Sequence, residues 1–302
     1  MWPAPCVRKA WLTLGAQTIQ LEDPTQGYFC SLLDLGWPAT RDVVSNRPDA
    51  DGVDDRTQFM GARVISANVT ALTGAGARVD AVASSFAPFM VPSARPVLHY
   101  VLDRPGAAER TLTVRASGYS WPISGPAQRD VQLQWLAADP VARDPTVKTA
   151  TAMAGQIGAQ GRVYPLTFNR TYPAGGGAGS GTTIVSPGDV AVRPLLRIYG
   201  PVTSPVVNFT INDGTGHYTT ANVTFLAGYV INAGHYVDVD TAKKTALVDG
   251  DPTQNALNQL DWYNTVWPVL PVSPGSTGMG MSGSNTSAVS QVQAIWQDGY
   301  LT

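Results

Sequence analysis

The stretch "YVDVDTAKKTALVDG", residues 236–250, alternates strictly at its start. Tyr236, Asp238 and Asp240 share one parity and Val237 and Val239 the other, the two-residue period of a strand with one buried face. The valines are expected inward, "TAKK" is expected to form a tight turn, and "TALVDG" the returning strand, with Lys243 and Lys244 near the aspartates across the hairpin. The same residues invite a chemical reading, since carboxylates and amines sit close together in the chain. Side chains two apart on a strand start about 7 Å apart, so Asp238 and Asp240 do not converge readily on one ion. The stretch therefore reads as a charge-bearing hairpin rather than a metal site.

Outward from it the same grammar continues. "PLLRIYG", "VVNFTIN", "HYTTANVTF" and the closing "SAVSQVQAIWQDGY" are short runs of β-branched and aromatic residues between Gly, Pro, Asn and Asp, the pattern of an antiparallel sandwich. In the first half, "RDVQLQWLA" places Val131, Leu133 and Trp135 on one face and Gln132 and Gln134 on the other. One segment departs from the rule: Val79, Val82, Phe86 and Phe89 fall at helical intervals, predicting a helix over residues 77–90 that Pro88 should kink or shorten and Pro92 should stop. Charged residues thin out after position 150, which puts a domain boundary near "DPTVKTATAM" and divides the chain into residues 1–145 and 146–302.

Composition narrows the function. The 302 residues are 44% hydrophobic and only 14% charged, against about 25% charged in an average globular chain, so the surface is expected to meet other protein. A net charge of −2 with no Lys/Arg block leaves no electrostatic footprint for binding duplex nucleic acid. No apolar run approaches the 18 or so residues that cross a bilayer, and the start lacks the pattern of a signal peptide, so a cytoplasmic site of synthesis is expected. Cys6 and Cys30 match no metal or disulfide spacing.

No catalytic, cofactor or metal residue is expected. "NRPDADGVDD", residues 46–55, resembles part of a calcium loop, but Val53 stands where a ligand is needed, so it reads as an exposed acidic turn. His99, His217 and His235 are scattered and read as structural; no Gly-x-Ser-x-Gly elbow or paired-histidine motif accompanies them. "AGGGAGSG", residues 174–181, lacks the lysine and following helix of a phosphate loop and reads as an exposed connection. Asp49, Asp51, Asp54 and Asp55 in the first loop and Gly175, Gly176, Gly177 and Gly179 in the second are the candidates for interfacial or mobile segments. Trp262 and Trp267 in "LDWYNTVWPVLP" are expected in a core, the other use of such aromatics being sugar platforms and protein interfaces.

The ordered series "RPDADGVDDRTQFMGARVISANVTA", the helix, "RPVLHYVL", "RTLTVRASGY" and "VQLQWLAADP", followed by "YPLTFNRTYP", "RPLLRIYGPVTSPVVNF", "YVDVDTAKKTALVDG" and "WPVLPVSPGSTGMGMSG", resembles the distal tail protein (Dit) family of long-tailed siphophages, particularly those infecting actinobacteria. The resemblance covers nearly the whole chain. It implies a mainly β protein, with an N-terminal β-barrel carrying one helix and a C-terminal galectin-like β-sandwich. It also implies a non-enzymatic homohexameric ring at the tail tip of the virion, assembled in the host cytoplasm. The major tail tube protein would bind above, hub or baseplate proteins below, and genomic DNA would pass through the bore without specific binding. The other function kept open is a carbohydrate-binding adhesin recognising cell-wall glycans. The clustered His, Asn, Arg, Trp and Glu set of a galectin's sugar site is not found here in order, and fold alone does not license sugar binding.

Overall fold

The computed structural model describes residues 7–25, 27–41, 44–46, 53–55, 59–72, 84–120, 123–125, 128–156 and 181–301. The chain forms two compact units, Met1–Pro145 with Tyr300–Thr302, and Thr146–Gly299. The closing residues thus join the first unit, although they are sequentially continuous with the second.

Two sheets build the first unit. In one, the strand order runs Gln17–Gln20, Val7–Leu14, Val97–Leu102, Glu109–Thr113, Ala142–Arg143 and Gly299–Tyr300. In the other it runs Arg115–Ser120, Gln128–Ala137, Arg63–Leu72 and Tyr28–Asp34, with Ile123–Gly125 also pairing on Gln128–Ala137. Val131, Leu133 and Trp135 are buried and Gln132 and Gln134 exposed, as the alternation predicts. They share one core with Leu12, Leu98, Tyr100 and Leu112 of the facing sheet.

Phe86, Phe89 and Met90 complete that core. Of the helix expected over 77–90, only 84–90 lie within the described residues, where a single helical turn passes into the 3-10 turn Ala87–Met90. Pro88 sits in the first turn of that element, where its missing N–H costs least, and the chain is extended again by Val91. Val79 and Val82 fall outside the described residues.

The second unit is a two-layer sandwich. One layer contains Lys148–Gln156, Gln291–Trp296, Leu195–Tyr199, Tyr236–Asp240 and Thr245–Val248; the other contains Tyr218–Thr224, Val202–Asn212 and Ser276–Ser284, with Thr182–Ile184 and Val230–Ile231 attached. Lys148–Gln156 belongs to both. Its residues 148–153 pair antiparallel with Gln291–Trp296, and Ala154–Gln156 pair in parallel with Met281–Gly283, so the sheet curls from one layer into the next. Leu196, Ile198, Val237, Val239, Val292 and Ala294 bury into the same cluster as Val207, Phe209, Val223, Met279 and Met281.

Within this sandwich 236–250 is a hairpin. Asp240 pairs with Thr245, Val237 and Val239 are fully buried, and Lys244 closes the turn in the left-handed region at φ 58°. Asp240 Oδ1 accepts the backbone N–H of Ala242 at 3.0 Å and of Lys243 at 2.9 Å, fixing the turn from its first residue.

Candidate functional site

Asp238 meets a different cation from the one the sequence suggests. Leu195–Tyr199 pairs with Tyr236–Asp240 and sets Arg197 opposite Asp238. Arg197 donates Nε to Asp238 Oδ1 at 2.7 Å and Nη2 to Oδ2 at 2.9 Å, a two-pronged pair, while its guanidinium lies 4.4 Å from the centre of the Tyr236 ring. The hydrogen bonds to Asp238 push the guanidinium further above its already high ordinary pKa, against the opposing effect of burial. Of the two lysines, Lys243 reaches Asp240 Oδ2 at 3.5 Å from an exposed position. Asp238, two residues deeper in the strand, is beyond that turn and is held by Arg197. Both carboxylates are therefore engaged, Asp238 by a guanidinium and Asp240 by backbone amides and Lys243.

The histidines are scattered in sequence but not isolated in space. His235 Nδ1 lies 2.6 Å from Asp249 Oδ2, and this contact, with the bond from the Tyr236 N–H, holds the Asp249 carboxyl below its usual range. In the first unit, Thr13 Oγ1 lies 2.9 Å from His99 Nε2, and His99 Nδ1 lies 2.7 Å from Glu109 Oε1, with Trp11 stacked on the imidazole at 5.2 Å. Hydroxyl, imidazole and carboxylate in that order are the parts of a nucleophilic relay.

Their setting argues for a structural role. Val7–Leu14 and Val97–Leu102 each have a strand on both sides, so their backbone N–H groups serve the ladder and are not gathered to hold an oxyanion. The trio follows from strand register: Trp11 and Thr111 both lie opposite His99, which puts Thr13 and Glu109 on its diagonals.

One carboxylate missed by sequence reasoning is completely buried. Asp298 accepts Ser186 Oγ at 2.8 Å and Trp296 Nε1 at 3.2 Å and is ion-paired with Lys148. It joins the start of one strand, a loop and the end of another, which is a staple rather than a reactive group.

The expected interfacial or mobile segments lie only partly within the described residues. Asp54 and Asp55 lie on the short strand Val53–Asp55, opposite Ser45 and Val44. Asp49, Asp51, Gly175, Gly176, Gly177 and Gly179 lie outside the described residues. Among the described residues no group of three or more His, Cys, Asp or Glu side chains is placed to hold a metal ion, and no helix is long and apolar enough to cross a membrane. Among the described residues Cys30 is a free thiol whose pKa burial pushes up, away from the reactive thiolate.

The tryptophans divide. Trp135 is fully buried, and Trp267 is partly buried against the second core. Trp262, expected in a core, is instead 52% exposed, because it follows Asp261 into an exposed turn along the edge strand Tyr218–Thr224.

These features define a two-domain, mainly β protein, a β-barrel followed by a galectin-like sandwich, and the same arrangement is found in a solved phage protein. The chain is similar to SPP1 Dit, described as a paradigm of the hub adsorption apparatus in phages infecting Gram-positive bacteria: the likeness covers 97% of this chain and 99% of that one, with a TM-score of 0.59 at 12% identity. It is a likeness of fold. Chains from the activated baseplate of phage p2, with calcium and with strontium, align over 92% and 95% of this chain at 10% and 11% identity, with TM-scores of 0.43 and 0.44. No protein-family model and no curated protein matches the chain.

Proposed function

We propose that this chain is a non-enzymatic structural protein of the phage tail tip, forming a hexameric ring that joins the tail tube to hub or baseplate proteins. The observation that carries the reading is the end-to-end likeness of fold to SPP1 Dit, spanning both domains in the same order. Surface chemistry supports it. Leu32, Trp37, Phe59, Met60, Val64 and Tyr119 of the first unit are large apolar residues left exposed, and the chain is poor in charge, as expected of a subunit whose sides are covered by neighbours. The mechanism is geometric: the ring matches the tube's symmetry above, offers a platform below, and encloses a bore through which DNA passes without sequence-specific contact. In this reading the protein resides in the virion, after assembly in the host cytoplasm, and its relatives are tail proteins of actinobacteriophages.

The loops carrying Asp49, Asp51, Asp54 and Asp55 and carrying Gly175, Gly176, Gly177 and Gly179 serve as assembly contacts in this reading. Light scattering of the purified full chain should give six times the 31.9 kDa chain mass, and deletion of either loop should lower the assembled mass. A strictly monomeric wild type counts against the ring, and a full hexamer from both deletions removes the loops from it.

A further inference from the structure

A shallow groove opens beside Trp262 in the second unit. It is lined by Asn255, Leu257, Asn258 and Trp262 and has a volume of about 390 Å³. We propose that it is a binding site for a neutral saccharide.

Four features point to that ligand class. The indole is held in place: Asp261 accepts the backbone N–H groups of Tyr263 at 3.1 Å and Asn264 at 3.2 Å, its own N–H donates to Thr224 O at 2.8 Å, and Trp267 packs on the ring at 5.9 Å and 61°. An aromatic ring so fixed, with half its surface in water, offers a negative π-face to the weakly positive C–H face of a pyranose at little ordering cost.

The amides supply the polar half. Asn255 Oδ1 accepts the Leu257 N–H at 2.8 Å, which orients the side chain and leaves its NH₂ available, and Asn258 is exposed with no side-chain hydrogen bond among the described residues. Amides both donate and accept, as sugar hydroxyls do.

The lining carries no charge, and the nearby Asp261 carboxylate is consumed by its own turn, also bonding Asn264 Nδ2 at 2.7 Å. An anionic ligand would find no counter-charge in the lining and would face the Asp261 carboxylate, which its hydrogen bonds hold in the charged form. A lining of four residues suits one or two rings of a small ligand. This inference is independent of the hexamer.

Isothermal titration of the full chain against cellohexaose, maltohexaose, chitohexaose and xylohexaose, with polygalacturonate as the anionic control, tests it. At least one neutral hexasaccharide should bind with Kd on the order of 1 mM or tighter. Trp262→Ala and, with the indole intact, Asn258→Leu should each weaken that binding roughly tenfold or more. Tyr263→Ala removes a 95% exposed ring outside the groove and should change nothing. Silence across the neutral panel up to about 10 mM, preference for polygalacturonate, or binding kept by both groove variants overturns the proposal. So does a Trp262→Ala chain that still titrates sugar normally but no longer joins tails, since the groove would then be a protein contact.

Discussion

Asp298→Ala is expected to loosen the second domain by about 3 kcal/mol, the low end of what losing one partner of a buried ion pair costs. The carboxylate is fully buried, and its removal strands the Ser186 hydroxyl, the Trp296 indole N–H and the Lys148 ammonium together. Lys148 is about a third exposed, with side-chain exposure of 32%, so it can recover water, which is why the upper end of the range is not expected. Asp298→Asn keeps an oxygen for the hydroxyl and indole and should lose only about 1–2 kcal/mol. Amide hydrogen exchange across Gln291–Trp296 reads the effect directly: protection should fall by about a hundredfold for alanine and by roughly tenfold for asparagine. Unchanged protection in Asp298→Ala would mean the buried cluster contributes no net stability.

Trp135→Ala should cost the first domain about 3–5 kcal/mol, because an indole at the centre of a closed core leaves a cavity its neighbours cannot fill. Trp135 is fully buried on Gln128–Ala137, with strands on both sides preventing collapse. Its indole N–H has no hydrogen-bond partner among the described residues, and an unpaired buried donor itself costs about 1–3 kcal/mol. Trp135→Phe discards that donor with part of the ring, so its net loss should stay below about 1.5 kcal/mol. Urea unfolding of the two variants, followed by exchange protection on Arg63–Leu72, separates them. Equal losses would show that the N–H is satisfied in solution and that packing alone sets the cost.

The buried alternation was the legible part. Val131, Leu133 and Trp135, and likewise Val237 and Val239, face inward because a period of two admits only one buried face. Local turn chemistry was legible for the same reason, since the Asp240 cap and the Lys243 contact lie within three residues.

Pairings across strands were not. Arg197 reaches Asp238 from 41 positions away, and Thr13 reaches His99 from 86, separations fixed only once sheet order is known. The His99–Glu109 contact could have been found, because the two residues flank a short hairpin and become diagonal neighbours when Thr111 is set opposite His99. Trp262 was misplaced for a related reason. Its sequence is as apolar as a core strand, but the backbone bonds of Asp261 turn it outward at a sheet edge.

Among the described residues the polar groups that might have reacted are tied to one another: Arg197 with Asp238, His99 with Thr13 and Glu109, Asp298 with Lys148. Such pairs stiffen a subunit, which fits the ring proposed above.

Electron microscopy of the purified full chain, alone and at the end of assembled tails, tests that claim most directly. The account predicts six copies around an open bore, first domains innermost against the tube. A single copy, or a tail tip without any six-fold layer of this protein, would contradict it.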